Sequence, residues 1–374
     1  MKLRTFPFFL LIVLSFAKSM CYSQVANTGM VEQMDSSEAG KIVLSGYVDT
    51  YYGFDFNQPP QSDRPYTVSS PRHNEVNINL AYLGVNYSNE KVRGRFIPGF
   101  GNYMNSNYAT EIGSLKNIVE ANAGVRLSKK NDIWIDAGVM GSPYTNESAI
   151  SRDHLMYTRS FAPEFVPYYL TGVKLSGKLS PKITGYFYIL NGWQHITDTN
   201  NPLSIGTQIE YRPTSKLLIN WNTYVGDEYS TQTPTFGIRY FSDIYVIFNP
   251  DGKFTFTSCF YAGNQQIRQP GIVDSYAQWW QANFIARYSF NKTSSISGRL
   301  EYFNDPEKIQ ISPITNSPQF STASTGLCYN YKITRNALFR VEYRNYFSEK
   351  PVYLRQNRNV NNDNLLISNL TVWF

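Results

Sequence analysis

The chain has 374 residues, a formal net charge of +6 and an aromatic content of 16%, with 29 Tyr, 24 Phe and 6 Trp. So small an excess of basic residues gives no reason to expect a nucleic-acid partner. The sequence contains no run of 18 apolar residues beyond its N-terminal region, which excludes membrane-spanning helices there.

Residues 1–23 have the features of a cleaved secretory signal peptide. Lys2 and Arg4 precede the apolar run FPFFLLIVLSFA, and cleavage is predicted between Ser23 and Gln24. Cleavage removes three basic residues, lowers the net charge from +6 to +3 and leaves two cysteines. Two cysteines are too few for a disulfide framework in an exported protein, so another source of stability is required.

Residues 24–40 are polar and lack periodicity, and we expect them to form a flexible periplasmic leader. From residue 41 to residue 374, apolar and polar residues alternate, as in strands with one apolar face. Ile42 and Leu44, for example, alternate with Ser45. Sixteen such segments are present, the clearest being EVNINLAY, LSIGTQIEY, KLLINWNTYV, SISGRLEYF and ALFRVEYR.

The connections between these segments alternate in length. Short turns are predicted at 88–91, 128–131, 178–181, 212–216, 249–253, 291–294 and 331–336. Longer loops are predicted at 57–74, 101–115, 141–166, 191–202, 227–234, 264–274, 304–318 and 348–363. Short turns at one end and long loops at the other are typical of an outer-membrane barrel, with the short turns in the periplasm.

We therefore predict a transmembrane antiparallel up-and-down β-barrel of about 16 strands over residues 41–374. Aromatic residues near the strand ends, as in VDTYYGF and GYFYILNGW, are in the positions of interfacial girdles. The alternative is an exported β-sandwich with an aromatic core, but a chain of this length would need a domain boundary, and none is evident.

The C-terminal segment LLISNLTVWF places Leu370, Val372 and Phe374 on one side of a strand and Asn369 and Thr371 on the other. Closing the barrel requires this strand to pair with the first. An alternating last strand that ends in Phe also resembles the assembly signal of outer-membrane barrels. The resemblance implies that the barrel assembly machinery recognises Val372 and Phe374.

Several stretches of the chain resemble the OmpL-like β-barrel porin-2 family of Gram-negative bacteria. The resemblance extends from about residue 42 to the C-terminus and implies a porin-like barrel without identifying a solute. It rests on GSPYTNESAISRD (141–153), FAPEFVPYYLTGVKLS (161–176), YILNGWQHI (188–196), IEYRPTSKLLINWNTYVGDE (209–228), RYFSDIYVIFNPDGKFTFT (239–257) and RLEYFNDP (299–306).

Sixteen strands leave room for an aqueous lumen, and charged residues on the polar phase of the strands are predicted to line it. Two strands repeat the pattern Arg-x-Glu-Tyr, with Tyr302 and Tyr343 predicted to face lipid. Such a wall is either a charged constriction that selects solutes, with a weak anion preference, or a set of ion pairs that stiffens the barrel. The predicted pore-lining residues are Arg93, Arg95, Arg126, Lys174, Arg239, Asp243, Arg287, Arg299, Glu301, Arg340, Glu342 and Arg344.

The longest predicted loop, 141–166, has two interpretations that the sequence leaves open. By analogy with porins it folds inward and narrows the pore, or it remains an ordered external loop. It contains Ser151, Asp153 and His154, but adjacency in sequence does not orient a nucleophile and a base, and no G-x-S-x-G motif is present.

Three His and two Cys match no metal-ligand spacing, and Cys259 and Cys328 fall on the eleventh and fourteenth predicted strands, which are not neighbours. We expect no cofactor and no enzymatic activity.

The function expected from the sequence is passive diffusion of small hydrophilic solutes or ions across the outer membrane of a Gram-negative bacterium. The alternatives are a non-conducting structural or surface-binding barrel and, less favoured, an outer-membrane hydrolase. The expected partners are outer-membrane lipid, the barrel assembly machinery and small hydrophilic solutes, and a homo-oligomer is left open.

Overall fold

The computed structural model describes residues 40–250, 252–269, 271 and 273–374, and the predicted signal peptide lies outside these residues, as does the predicted leader up to residue 39. Sixteen antiparallel strands form a closed barrel, as predicted. The strands are β1 (Lys41–Asp55), β2 (Val76–Ser88), β3 (Val92–Phe100), β4 (Ile118–Ser128), β5 (Ile133–Gly141), β6 (Tyr169–Ser180), β7 (Ile183–Leu190), β8 (Ser204–Thr214), β9 (Leu217–Asp227), β10 (Phe236–Phe248), β11 (Phe254–Ile267), β12 (Ser275–Ser289), β13 (Ser294–Asp305), β14 (Phe320–Thr334), β15 (Ala337–Ser348) and β18 (Asn362–Trp373).

The remaining elements lie in the long connections. A hairpin of β16 (Tyr353–Arg355) and β17 (Arg358–Val360) lies between β15 and β18. The α-helices are α1 (Asn102–Asn107) and α2 (Phe161–Glu164), and 3-10 turns occupy Gly113–Asn117 and Ser151–Asp153. No helix within the described ranges combines the length and the apolar character that a membrane span requires.

Strand β18 closes the barrel by pairing with β1, as the sequence predicts. Tyr47 pairs with Trp373 and Asp49 with Thr371, and Gly46 and Phe374 exchange two backbone hydrogen bonds of 3.0 Å. Closure removes both sheet edges, so the strands have no unpaired edge to offer to other chains.

The alternation of side chains along each strand separates a lipid-facing surface from the interior. Ile42 and Leu44 are exposed on the outer surface, whereas Tyr47 and Asp49 are buried inside. On β18, Leu370 is likewise exposed on the outside. An exposed apolar belt of this kind is stable only in contact with lipid, as in outer-membrane barrels.

The predicted alternation of turn and loop lengths is confirmed, with some shifts in the boundaries. The turn predicted at 331–336 contains only residues 335–336, because β14 continues to Thr334. The loop predicted at 264–274 starts at 268, because Gln265 remains inside the barrel as a buried residue of β11. Two consecutive glutamines, at 265 and 266, conceal the alternation from sequence reasoning.

Two glycines bring β5 and β6 close to their neighbours. Gly138 and Gly172 pair across β5 and β6, with φ values of 127° and 152°. A Cβ atom at Gly138 would lie 2.2 Å from the carbonyl oxygen of Ala121 on β4, and one at Gly172 would lie 2.0 Å from that of Ile189 on β7. Neither obstacle is a mobile side-chain end, so the backbone itself would have to move.

We expect Gly138→Ala to lower the free energy of unfolding by about 1–3 kcal/mol, the cost of a strained backbone position. Urea unfolding of the detergent-folded barrel, followed by tryptophan fluorescence, measures the change. The control is Gly298→Ala on β13, where the added Cβ would meet only the Gly326 carbonyl oxygen at 3.8 Å. Equal stability of the two variants would contradict the prediction.

Candidate functional site

The connection between β5 and β6, residues 142–168, lies inside the barrel, and we call it the lumenal segment. Its Phe161 backbone N–H donates to Glu301 on β13 at 2.6 Å, and its Tyr157 backbone N–H donates to Glu342 on β15 at 2.8 Å. In the closed order of sixteen strands, β13 is the strand farthest from β5. The segment therefore crosses the lumen, which agrees with the inward-folding interpretation of this loop.

Four charged side chains on the far wall, Arg299, Glu301, Glu342 and Arg344, hold the segment, and we call them the anchor cluster. Glu342 accepts hydrogen bonds from the Thr158 N–H at 3.0 Å, the Thr158 hydroxyl and Arg299 at 2.8 Å. Glu301 accepts from Arg344 as well as from the lumenal backbone. All four side chains are buried, and charges in such a place are tolerated only when they are paired and hydrogen-bonded.

Two wall arginines bind lumenal carbonyl groups. Arg344 donates to the Arg159 carbonyl at 2.7 Å, and Arg340 donates to the Ser151 carbonyl at 2.8 Å and the Ser151 hydroxyl at 2.7 Å. Arg340 is fixed in turn by Asn369 on β18 at 2.9 Å. Carboxylates of the wall thus accept hydrogen bonds from backbone N–H groups of the segment, and guanidinium groups of the wall donate to its backbone carbonyl groups. These side chains provide the hydrogen bonds that regular secondary structure would otherwise supply.

The start of the segment is held by a different part of the wall. The Thr145 N–H donates to Asp243 on β10 at 2.6 Å, and Asn222 on β9 donates to Asp243 at 2.6 Å and to the Pro143 carbonyl at 2.9 Å. Nearby, Arg239 donates to Gln265 at 2.9 Å.

Aromatic residues fill the interior around the segment. Tyr144 and Phe161 pack in one cluster with Phe241 on β10, Tyr261 on β11 and Phe303 on β13. The same cluster also includes Leu170 on β6 and Tyr188 on β7, so the segment is held by packing as well as by hydrogen bonds.

Charged side chains on the inward phase of β3–β8 remain partly exposed to solvent, and we call this surface the open wall. Arg126 and Arg212 lie at its short-turn rim, where their backbone N–H groups donate to turn carbonyl groups. It consists of Arg93, Arg95, Arg126, Lys174 and Arg212, whose side chains are 35%, 46%, 24%, 22% and 55% exposed.

Each open-wall cation has a carboxylate partner. Arg93 binds Asp136 at 2.6 Å, and Lys174 lies 3.6 Å from the same carboxylate. Arg95, Arg126 and Arg212 lie 3.2–3.4 Å from Glu120, Asp132 and Glu210, respectively. Arg93 and Arg126 also stack on Trp134, at 4.2 and 4.6 Å from the ring centre.

The structure divides the predicted pore-lining residues into three groups. Arg299, Glu301, Arg340, Glu342, Arg344 and Asp243 contact the lumenal segment, whereas Arg93, Arg95, Arg126 and Lys174 belong to the open wall. Arg239 is buried between Trp193 and Trp279, and Arg287 on β12 lines a separate cavity at the end that carries the short turns. For all twelve residues, the role of lining a pore stays a prediction.

Sequence reasoning missed Arg212 of the open wall and the lumenal partners Thr158 and Ser151. Arg212 follows a Tyr at a strand end, where alternation is weakest, and lumenal residues have no periodicity that could reveal their contacts. Tyr302 and Tyr343, predicted to face lipid, are exposed on the outer surface.

The Ser151, Asp153 and His154 side chains do not form a catalytic arrangement. The Ser151 hydroxyl contacts Tyr47 at 2.9 Å and accepts from Arg340, whereas His154 Nε2 accepts from the Ser148 N–H at 2.8 Å. Asp153 pairs with Arg152 at 3.4 Å. Burial, reinforced by the charges of Arg159, Arg340 and Arg299, holds the pKa of His154 well below its usual value, so the ring is neutral.

Two lumenal carboxyl groups have shifted acidities. Burial raises the pKa of Glu147, although the charge of Arg299 acts in the opposite direction. Burial also raises the pKa of Glu164, against a hydrogen bond from the Val68 N–H. In the described part of the chain, no three His, Cys, Asp or Glu residues are grouped as a metal site would require, and Cys259 and Cys328 are buried and free.

We expect Glu342→Ala to release the lumenal segment, because it removes the acceptor for two backbone N–H groups and leaves Arg299 partly uncompensated. Breaking a buried charge pair costs about 3–5 kcal/mol. Hydrogen exchange should show lost protection at residues 157–161 while the strands remain protected. Lys129→Gln, at an exposed turn pair with Glu90 (3.0 Å), is the control and should leave exchange unchanged. Unaltered protection at 157–161 in Glu342→Ala would contradict the anchoring role.

Solved outer-membrane channels share this fold at low sequence identity. The outer membrane channel DcaP of Acinetobacter baumannii matches with a TM-score of 0.63 and 10% identity over 93% of this chain and 100% of its own. The anion-selective porin from Comamonas acidovorans matches with a TM-score of 0.58 and 7% identity, over 90% and 100%. The trimer form of OmpT, an outer membrane protein of Vibrio cholerae, matches with a TM-score of 0.57 and 10% identity, again over 90% and 100%.

No curated protein matches the chain. The model of one family, described as "Putative beta-barrel porin-2, OmpL-like", matches residues 41–374, which include every strand of the barrel. The closed sixteen-strand barrel with its outer apolar belt and charged interior agrees with that match. The chain belongs to the OmpL-like β-barrel porin-2 family and is a porin-like protein of the Gram-negative outer membrane.

Proposed function

We propose that this barrel is a channel for passive diffusion of small hydrophilic solutes or ions across the outer membrane. The observation that carries the proposal is the open wall, where five cationic side chains on the inward phase of the strands keep 22–55% of their surface exposed. A barrel filled throughout by side chains would bury these groups, as it buries the anchor cluster.

In this proposal, solutes pass between the open wall and the lumenal segment. A cavity of about 160 Å³ lies along this route, lined by Arg95 and Glu120 on the wall and by Arg152 and Asp153 on the segment. Each side of the cavity carries a cation with a carboxylate partner, and side-chain charge and cavity width together act as the filter. The segment narrows the route because it occupies part of the lumen, where Glu301 on β13 and Glu342 on β15 hold it in place.

The alternative is a non-conducting barrel that binds ligands at its outer surface. Its specific support is a cavity of about 340 Å³ among the long loops, lined by Pro59, Pro60, Ile314 and Leu354 together with Asp55 and Asp63. Most residues that line this cavity belong to loops, and a measurement of conductance separates the two functions.

We also propose that the protein is not an enzyme, since Ser151 and His154 each bond to other partners. OmpT occurs in a trimer form, and by analogy we propose a homo-oligomer here. We further propose that the barrel assembly machinery recognises Val372 and Phe374, which lie on the outer, lipid-facing side of β18, and that residues 1–23 and 24–40 act as signal peptide and leader ahead of the 41–374 barrel.

Deleting residues 145–160 should raise single-channel conductance in planar bilayers, because the deletion removes the part of the segment that crosses the lumen. Deleting residues 230–233, at the tip of the loop between β9 and β10, is the control and should leave conductance unchanged. Heat-modifiable mobility in gels verifies that both variants fold. A folded 145–160 deletion with the conductance of the parent protein would contradict the narrowing role.

The excess of cations on the open wall predicts a weak preference for anions, measured as the reversal potential in a salt gradient. Replacing Arg95 and Arg212, the two most exposed cations, by Gln should shift the reversal potential toward cations. Lys129→Gln at the turn between β4 and β5 should have no effect. A clear cation preference of the unmodified channel would overturn the prediction.

A further inference from the structure

A second charged cavity, of about 300 Å³, lies at the end of the barrel that carries the short turns. It is lined by Arg287 on β12, Lys292 in the turn between β12 and β13, and Lys332 on β14, with Arg152 of the lumenal segment above them. None of the described residues that line it is acidic. Three cationic side chains of the strands and the turn, those of Arg287, Lys292 and Lys332, therefore line one cavity, and no carboxylate of a described residue lines it with them.

The absence of a counter-charge distinguishes this cavity from the open wall. The cations Arg93, Arg126 and Arg212 each lie within 3.4 Å of a carboxylate. Arg287, in contrast, forms no ion pair with a described residue, and its one hydrogen bond to a described side chain runs from Nη2 to the Thr255 hydroxyl at 3.4 Å. Its Nε is buried and has no hydrogen-bond partner in the described part of the chain.

The position of Arg152 completes the cavity. Its guanidinium lies 5.9 Å from the Tyr47 ring centre and 5.7 Å from that of Trp373, which also lines the cavity. Asp153 pairs with Arg152 at 3.4 Å and lines the smaller cavity on the other side of the segment, so it offsets part of the Arg152 charge. Arg287, Lys292 and Lys332 consequently supply most of the positive charge.

We propose that this cavity binds a small oxyanion of the phosphate type that carries two or more negative charges. Arg287 is half-buried beside two exposed lysines, so an anion in the cavity would offset their mutual repulsion, and the guanidinium N–H, unpartnered among the described residues, offers it a directional donor. The hydroxyl groups of Ser289 and Ser295 also line the cavity and provide neutral donors. The volume is at the lower end of small-molecule sites, which fits a phosphate or pyrophosphate group better than a larger ligand.

The proposal goes beyond the channel function and does not depend on it, because binding is a property of the folded barrel in detergent. Isothermal titration of residues 24–374 with pyrophosphate and with inorganic phosphate should show one site per chain, weakened by added NaCl. Arg287→Gln and Lys332→Gln should each weaken pyrophosphate binding by about tenfold, the typical effect of losing one charged hydrogen bond.

Lys292→Gln, at an exposed turn position that does not support the fold, should weaken binding in the same direction and guards against misfolding of the Arg287 variant. Lys129→Gln is the matched control, because Lys129 is also an exposed turn lysine but has Glu90 as its partner. Absence of pyrophosphate binding at millimolar concentration would overturn the proposal. It would be overturned equally if Lys129→Gln weakened binding as much as Lys292→Gln.

Discussion

Binding of lumenal backbone N–H groups by Glu301 and Glu342 is the interaction on which the interior of this barrel depends. The lumenal segment is too irregular to satisfy its own backbone, and no strand edge is available inside a closed barrel to pair with it. Two carboxylates on neighbouring parts of the wall supply the missing acceptors, and Arg299 and Arg344 stabilise the carboxylates. Without them, an irregular chain crossing the lumen would leave buried donors unpaired.

The anchor cluster also explains why the two halves of the lumen differ. On β13 and β15 the inward charges contact the segment and one another, so the ion pairs there are part of the packed interior. On β3–β8 the charges are paired but still exposed, so they remain available to solutes. The sequence left open whether the charged wall is a constriction or a set of stiffening ion pairs. In the structure the buried ion pairs lie on β13 and β15, and the exposed pairs on β3–β8 are the ones that we propose to act as a constriction.

The strands and their order could be predicted because each strand contacts lipid on one face only. Apolar and polar residues therefore alternate along every strand with a period of two. Ile42 and Leu44 are informative for this reason. The contacts of Thr158 and Ser151 could not be predicted, since they depend on the path of an irregular segment relative to strands more than 180 residues away. The Arg-x-Glu repeats at 299–301 and 340–342 indicated charged positions on the wall. Their partners in the segment could not be predicted, because a residue of almost any type can donate a backbone N–H to a carboxylate.

Ser151 contacts Tyr47 on β1, Arg340 on β15 and Thr371 on β18, which places part of the lumenal segment against the junction where the barrel closes. That junction joins residues about 320 positions apart in the chain, as in the hydrogen bond from Asn369 to Asp49. Bringing such distant parts of the chain together has an entropic cost. The final position of the segment therefore depends on closure of the barrel, because some of its hydrogen bonds exist only where β1 and β18 meet.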